Sequence, residues 1–340
     1  MKAVFFGCSK EHETYLVRRM SERGMSIEAV YVPEILSEET LPLALDAPII
    51  SVFSASPVSE EELQKLPQLK YIATRSTGYD HITIAATTKR GIIVSNVPSY
   101  GENTVAEHAF GLLLALSKKI FAGFEQIREK GDFEFEALQG FDLKGKTIGV
   151  VGAGRIGCHS IAIAKGFGMN VLAYDLFPKP ELATQLGFSY VSLDELLSKS
   201  DVITLHVAHT PDTHHLINTE SIAKMKRGVV LINTSRGAVV DTEALVKALT
   251  DGQISAAGLD VLEEEGIIQD EMQFILSGKG EGHDLRTVLA NHVLIDMPNV
   301  IITPHIAFNT KEAVGRILET TIDNIDAFVK GAPQNIVTGV

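Results

Sequence analysis

Residues Thr147 to Gly157 read TIGVVGAGRIG. Thr147 to Val151 are small or β-branched and predict a buried strand, whereas RIGCHSIAIAKGFG, from Arg155, carries helical spacing. Between them Gly152, Gly154 and Gly157 stand in the pattern G-x-G-x-x-G, directly after a strand and opening a helix. The first glycine permits a tight turn, the second lets backbone approach a pyrophosphate, and the third lets helix pack on strand, with the helix N-terminus facing the anion. A glycine pattern alone is weak evidence. Here the next strand, NVLAYD, ends in Asp175, at about the 20-residue spacing of an acid that grips a ribose 2′-hydroxyl. An acid there repels a 2′-phosphate, and Leu176, Phe177 and Pro178 supply no compensating arginine, so NAD is expected over NADP. Gly152, Gly154, Arg155, Ile156, Gly157 and Asp175 are the candidate cofactor contacts.

Outward from this turn the chain repeats one theme. Downstream, VITLHV, VVLINTS, AAGLDVL and VIITPH alternate with helical stretches such as SLDELLSKS and TEALVKALTDGQ. Upstream, AVFFGC, IEAVYV, IISVF, YIATRST and IIVSNV form a first series. Continuous apolar strands alternating with helices imply parallel sheets covered on both faces. The segment GENTVAEHAFGLLLALSKKI, residues 101–120, reads as one long helix between the two series, and TKEAVGRILETTIDNIDAFVKG reads as another whose length allows it to return to the first domain. Residues 264–293 are polar, contain glycine and are too long for an ordinary connection, which suggests a functional insertion.

A length of 340 residues favours two domains. Apolar residues at 45% and charged residues at 21% are ordinary globular usage. Against 43 acidic side chains there are 30 Lys and Arg, a net charge of −13, which makes nucleic acid or an anionic membrane surface an improbable partner. Two cysteines, Cys8 and Cys158, form no secreted disulfide framework, no segment reaches membrane-spanning length, and the N-terminus lacks a signal-peptide core, so a cytoplasmic location is expected.

Ligands of open parallel sheets sit outside the carboxyl ends of the strands. Three side chains follow strands there: Arg236 after VVLINTS, Glu265 after AAGLDVL, and His305 after VIITP. Reduction of a 2-oxo acid needs a cation for the carboxylate, a proton donor for the carbonyl oxygen and a group that keeps the donor charged. Arginine, histidine and glutamate suit those tasks. Each alone has a plainer reading: a helix-start arginine, a solvated run Glu263–Glu265, a strand-end histidine. Their joint placement beside the glycine turn argues for chemistry. Pro304 ends the ladder by removing a donor and leaves His305 projecting at the edge.

The motifs NTSRGAVVDTEAL, AAGLDVLEEE, NVIITPHIAF, GAGRIG, NVPSYGENTVAEH and YIATRSTGYDHI resemble the D-specific 2-hydroxyacid dehydrogenases, particularly the D-lactate dehydrogenase branch, over essentially the whole chain. The resemblance implies an α/β protein of two doubly wound parallel-sheet domains. One is a flavodoxin-like substrate domain at 1–99 and 306–340, the other a Rossmann NAD-binding domain at 100–305. It assigns substrate binding to Arg236, acid/base work to His305, and the histidine's partner to Glu265, chosen by its spacing from Asp260. It also places Val207, Ala208, Thr213, Thr234, Ser235 and Asp260 near cofactor, Thr77 and Gly78 at the substrate carboxylate, and Phe53, Tyr100 and Phe308 around the substrate pocket. A homodimer through the cofactor domains is implied, with 101–120 near the contact.

Two departures from the family stand out. Gly266 follows Glu265 where many relatives carry proline, and the loop after it is long, as in the lactate branch; Ala208 also stands where many relatives have proline. His206, His209, His214 and His215 in LHVAHTPDTHH match no standard metal spacing and read as a polar loop at the adenine edge. Rival readings are an enzyme for bulkier 2-oxo acids, a formate- or phosphite-type oxidoreductase, which the absence of glutamine at 265 disfavours, and an NAD(H)-sensing corepressor-like protein on the same fold.

Overall fold

The structure, a computed structural model, describes residues 1–265 and 285–337. The chain forms two compact units, Met1–Tyr100 with Thr310–Val340, and Gly101–Asn309.

In the first unit five parallel strands, β1 (Lys2–Phe6), β2 (Glu28–Val32), β3 (Ile49–Val52), β4 (Tyr71–Thr74) and β5 (Ile93–Ser95), lie in the order β2-β1-β3-β4-β5, the flavodoxin-like arrangement. Alternate residues of one strand serve opposite cores: Val4 and Phe6 pack with Ile50, Val52 and Ile72, while Ala3 and Phe5 pack with Ile49, Tyr71 and Ala73. The second face is closed by Leu16 and Met20 of the helix Lys10–Glu22 and by Leu318, Ile322 and Ile325 of the helix Lys311–Val329. Arg19 and Tyr15 clamp Glu319 across these two helices, at 2.6 and 3.1 Å.

The second unit holds seven parallel strands. They are β6 (Thr147–Val151), β7 (Asn170–Tyr174), β8 (Ser189–Tyr190), β9 (Val202–Leu205), β10 (Val229–Asn233), β11 (Ile254–Leu259) and β12 (Val300–Ile302). Their order is β12-β11-β10-β9-β6-β7-β8, so the strand order reverses between β6 and β9. That reversal opens the crevice in which doubly wound sheets bind dinucleotides. The interior strand β10 is buried along its whole length, which is why Val229–Ile232 read as an apolar run. Helix Glu102–Ser117 lies on this sheet, and Gly258 of β11 admits it: a Cβ there would approach Leu112 Cβ and Ile232 Cδ1 to 2.9 Å.

The sequence reading and the structure part in three places. The helix expected over 101–120 ends at Ser117, because Phe141 N–H takes the Ser117 carbonyl at 2.9 Å and Lys119 turns left-handed at φ 52°; a second helix, Ile120–Lys130, then begins. The seventh strand, β8, is two residues long and too short to carry a periodicity. Of the unassigned stretch 264–293, residues 266–284 lie outside the described residues, and its end belongs to the helix Leu285–Asp296.

Candidate active site

Because the strands of the second unit are parallel, every residue that directly follows one stands on the same sheet edge. After β6 come the glycines. Gly152 has φ +92°, and a Cβ on it would meet His206 O at 2.6 Å; one on Gly157 would meet Gly152 O at 2.0 Å. Both are glycine for backbone reasons within the protein. Gly154 is different: a Cβ there would meet nothing within 4 Å. It caps the helix Arg155–Gly166 without a side-chain hydrogen bond, so the cradle is open at the point where a pyrophosphate oxygen approaches a helix N-terminus. Arg155 Nε lies 3.4 Å from Glu102 Oε1, and Ile156 is half-buried beside it.

Asp175, after β7, is fixed by two backbone donors, Ala153 N–H to Oδ2 and Phe177 N–H to Oδ1, each at 2.8 Å. This ties the acid to the middle of the glycine turn. After β9, Val207 backs Gly152, its Cγ1 3.0 Å from where a Cβ would sit. Thr213 Oγ1 accepts from Thr210 N–H at 2.8 Å and donates to Ala208 O at 2.6 Å, closing that loop. His206 bridges Ser160 Oγ (2.9 Å) and Thr204 Oγ1 (3.0 Å) through Nε2, and burial holds it down to about 4, so it is neutral at pH 7. Among the described residues no metal-ligating group of three or more His, Cys, Asp or Glu is present.

After β10, Asn233 organises the next three residues: Oδ1 accepts from Ser235 N–H at 3.0 Å and Ser235 Oγ at 2.8 Å, and Nδ2 donates to Arg236 O at 2.9 Å. Thr234 is buried with its Oγ1 unpartnered in the protein. Arg236 Nη1 donates to Ser235 O at 2.7 Å. Gly237 packs directly against the next strand's loop: a Cβ there would fall 2.0 Å from the Leu262 carbonyl carbon.

The segments that follow β11 and β12 meet. His305 Nδ1 lies 2.8 Å from Glu265 Oε1, with both side chains partly exposed. Glu263 instead faces inward to His215 and Thr242, so Glu263 and Glu265 have different partners. His305 adopts φ +52°, a left-handed conformation rare outside glycine, and its N–H donates to Asp260 O at 2.9 Å. The Asp260 carboxylate, 1% exposed, accepts from Thr303 Oγ1 (2.5 Å), Ile306 N–H (2.9 Å) and Ala307 N–H (2.8 Å), with His108 Nε2 at 3.4 Å. Burial alone would push this carboxyl up. The donors from His108, Thr303, Ala307 and Ile306 outweigh it and hold Asp260 below the usual carboxylate range. Phe308 follows half-buried.

Phe53, Thr77, Gly78 and Tyr100 belong to the other unit. There Thr77 Oγ1 donates to Val97 O, Asn96 Nδ2 donates to Thr77 O, both at 2.7 Å, and Ser76 Oγ donates to Gly78 O at 2.6 Å. Tyr100 O accepts from Arg316 Nε, and Phe53 O from Ser56 N–H at 2.9 Å. Beneath the loop, Arg75 is 1% exposed and donates to the carbonyls of Phe6 and Gly7 and to Ser51 Oγ, tying the carboxyl ends of β1, β3 and β4 together. Sequence reasoning passed over Arg75, His108, Asn233 and Glu263. Arg75 carries one local signal, a charge placed straight after an apolar strand; the partners of His108 and Glu263 lie far along the chain, whereas Asn233 bonds Ser235 and Arg236 just after it.

A doubly wound sheet with this glycine turn and this acid defines an NAD-binding α/β oxidoreductase. Residues 110–307 match the family described as D-isomer specific 2-hydroxyacid dehydrogenase, NAD binding domain. A 2-hydroxyacid dehydrogenase homolog of Haemophilus influenzae is 40% identical over 99% of both chains, and the D-lactate dehydrogenase of Escherichia coli is 35% identical over 99% of this chain and 100% of that one. The crystal structure of Aquifex aeolicus D-lactate dehydrogenase complexed with NAD and lactic acid superposes with a TM-score of 0.85, at 38% identity and 99% coverage of both chains. The chain belongs to the D-isomer-specific 2-hydroxyacid dehydrogenase family. It is an NAD-dependent oxidoreductase acting on the CH–OH group of D-2-hydroxy acids. The open cradle at Gly154, the anchored Asp175 and the orphaned Thr234 hydroxyl fit that cofactor.

Proposed function

We propose that the chain is a D-lactate-dehydrogenase-type enzyme that reduces a small 2-oxo acid such as pyruvate. The observation carrying this reading is the 2.8 Å contact between His305 Nδ1 and Glu265 Oε1 on the carboxyl edge of the NAD-binding sheet. NADH, when bound, supplies the hydride for C2. With Nδ1 engaged by Glu265, the ring is held in one orientation and Nε2 is the position that delivers a proton to the C2 oxygen. Arg236 offers its planar fork to the substrate carboxylate. The cofactor rests on Gly152, Gly154, Arg155, Ile156 and Gly157, with Asp175 at the ribose and Val207, Ala208, Thr213, Thr234 and Ser235 lining its path; Asp260 acts from beneath by holding the turn that carries His305. Thr77 and Gly78 are assigned to the substrate carboxylate, and Phe53, Tyr100 and Phe308 to substrate width. The substrate domain is assigned to 1–99 with 306–340 and the NAD domain to 100–305.

The working form in this reading is a cytoplasmic homodimer. Helix Ile120–Lys130 buries none of its residues, and Ile120, Phe121, Phe124 and Ile127 are each about half exposed along one stripe. A second copy of the chain is the occupant proposed for that stripe. The test of substrate is NADH oxidation with pyruvate, hydroxypyruvate, glyoxylate, 2-oxoisocaproate and phenylpyruvate, with NADPH as control. Fast turnover of pyruvate supports the lactate-type reading, preference for phenylpyruvate or 2-oxoisocaproate assigns a wider pocket, and NADH binding without turnover of any of them refutes it in favour of a nucleotide-sensing protein.

A further inference from the structure

We propose that Glu263 is the positioning residue that aims Glu265 at His305, an inference that rests on the catalytic pair argued above. From Leu262 the chain needs only three residues to reach Glu265, and it passes through Glu264 at φ +52°, a conformation that a glutamate keeps only when its neighbours impose it. Glu263 is that constraint. Its carboxylate accepts from His215 Nε2 (2.7 Å) through Oε1 and from Thr242 Oγ1 (2.6 Å) and Thr242 N–H (3.2 Å) through Oε2. Its carbonyl accepts from Asn291 Nδ2 at 2.7 Å. Its amide nitrogen lies against Gly237, where a Cβ would come within 2.3 Å. Side chain, carbonyl and amide are thus each fixed, by four separate segments, and the Glu263 side chain is 11% exposed.

Glu265, two residues on, has a 39% exposed side chain, and among the described residues of its own loop a long 3.4 Å contact from Leu262 N–H supports it. A carboxylate so exposed is free to choose other rotamers, so its aim has to come from the backbone that Glu263 fixes. His215, the ring on Oε1, is itself left-handed at φ +49° and stacks on His214 at 4.0 Å, which keeps it from swinging away. The arrangement parallels the other half of the pair. There the turn that carries His305, also at φ +52°, is held by the buried carboxylate of Asp260 through Thr303, Ile306 and Ala307. Each half of the proton-transfer couple is therefore placed by an inward-facing acid that fixes the backbone carrying it.

The experiment is a cycle of wild type, Glu263→Gln, Glu265→Gln and the double variant. It is read by the nitrogen-15 resonance of His305 Nδ1, which reports the hydrogen bond, and by kcat and KM for 2-oxo acid reduction. Glu263→Gln is expected to move the Nδ1 resonance most of the way to its place in Glu265→Gln and to lower kcat on the order of tenfold, with KM for NADH little changed. In the Glu265→Gln background it should cost less than about twofold further, because the group it positions is already gone. A stable Glu263→Gln protein with a wild-type Nδ1 resonance, or losses that multiply in the double variant, overturns the inference and leaves Glu263 a purely structural residue. Should Glu263→Gln not fold, His215→Phe removes the Oε1 donor while keeping a ring: a smaller shift in the same direction upholds the role, and an unmoved resonance with unchanged kcat rejects it. The resonance needs no turnover, so inactivity of the wild type toward every 2-oxo acid would refute the proposed function while the positioning role is still decided.

Discussion

Replacing Asp260 by asparagine should disable the enzyme without emptying its cofactor site. The carboxylate takes three protein donors within 2.9 Å, Thr303 Oγ1 and Ile306 N–H on one oxygen and Ala307 N–H on the other. An asparagine can keep its oxygen toward the first two, but its amide nitrogen then faces the Ala307 N–H, donor against donor. One charge-assisted hydrogen bond is lost and a buried N–H is left unsatisfied, a cost of about 2–4 kcal/mol. The turn is also holding His305 in a left-handed conformation that costs about 1–3 kcal/mol, so weakening its anchor lets the backbone relax. Displacement of the ring by about 1 Å lowers kcat by up to 100-fold. The assay is steady-state reduction of the preferred 2-oxo acid beside NADH titration by fluorescence, with kcat expected to fall at least about tenfold while NADH affinity changes by less than about threefold. A kcat within twofold of wild type would show that the His305 turn does not depend on this carboxylate. The pH dependence has a definite sign. Asp260 is held below its ordinary value of 3.8, so its contribution to stability is complete above that value and lost only as pH falls through the depressed one. The asparagine variant lacks that acid-labile increment.

Three further substitutions address other parts of the molecule. Glu265→Gln removes the carboxylate 2.8 Å from His305 Nδ1 and should lower kcat for 2-oxo acid reduction at least about tenfold; a kcat within about twofold of wild type rejects Glu265 as the partner of the proton donor. His206 is held near 4 by burial against an ordinary 6.5, so it favours the folded state above about pH 6.5 and withdraws that support as pH falls toward 4, at most about 1.4 kcal/mol per pH unit. In His206→Asn the slope of unfolding free energy against pH over that window should flatten, and parallel slopes for the two proteins would refute burial of a neutral ring. Phe124→Glu places a charge in the apolar stripe of Ile120–Lys130, where Phe124 is 57% exposed, and should give a monomer in sedimentation velocity; an unchanged dimer would assign the contact elsewhere.

What could be read in the chain beforehand divides along one physical line. Strands β6, β9 and β10 are buried on both faces, so burial favours runs that are mostly apolar and a local window suffices to find them. The glycine turn is legible because its spacing is itself a local pattern, with Gly157 answering to backbone at Gly152, although the clash that requires Gly152 is with His206, far along the chain. The break at Lys119 is different. It depends on a carbonyl captured by Phe141, more than twenty residues later, and no window over 101–120 contains that information. The run Glu263, Glu264, Glu265 is the sharpest case, because a local reading sees three equal, solvated carboxylates. The structure gives the first to His215 and Thr242, 48 and 21 residues away, and the third to His305, 40 residues away. Spacing from Asp260 selected Glu265 only through resemblance to relatives; nothing in the triplet itself distinguishes the positions.

That division also bears on how the site works. Apolar burial is specified locally and tolerates exchange of one aliphatic side chain for another, so the sheets can be built from many sequences. A carboxylate aimed at an imidazole within hydrogen-bond range has no such latitude, since its geometry is set by the backbone on either side. Here both backbones are left-handed at a non-glycine residue, Glu264 and His305, and glycine would remove the strain at either place at the cost of a floppier chain. Retaining side chains there makes sense if the anchors, Glu263 on one loop and Asp260 on the other, fix conformations the chain would otherwise leave. The buried acids and the strained residues are thus one device. Weakening an anchor should release strain as well as contacts, so catalytic aim is expected to fail at a smaller perturbation than the fold.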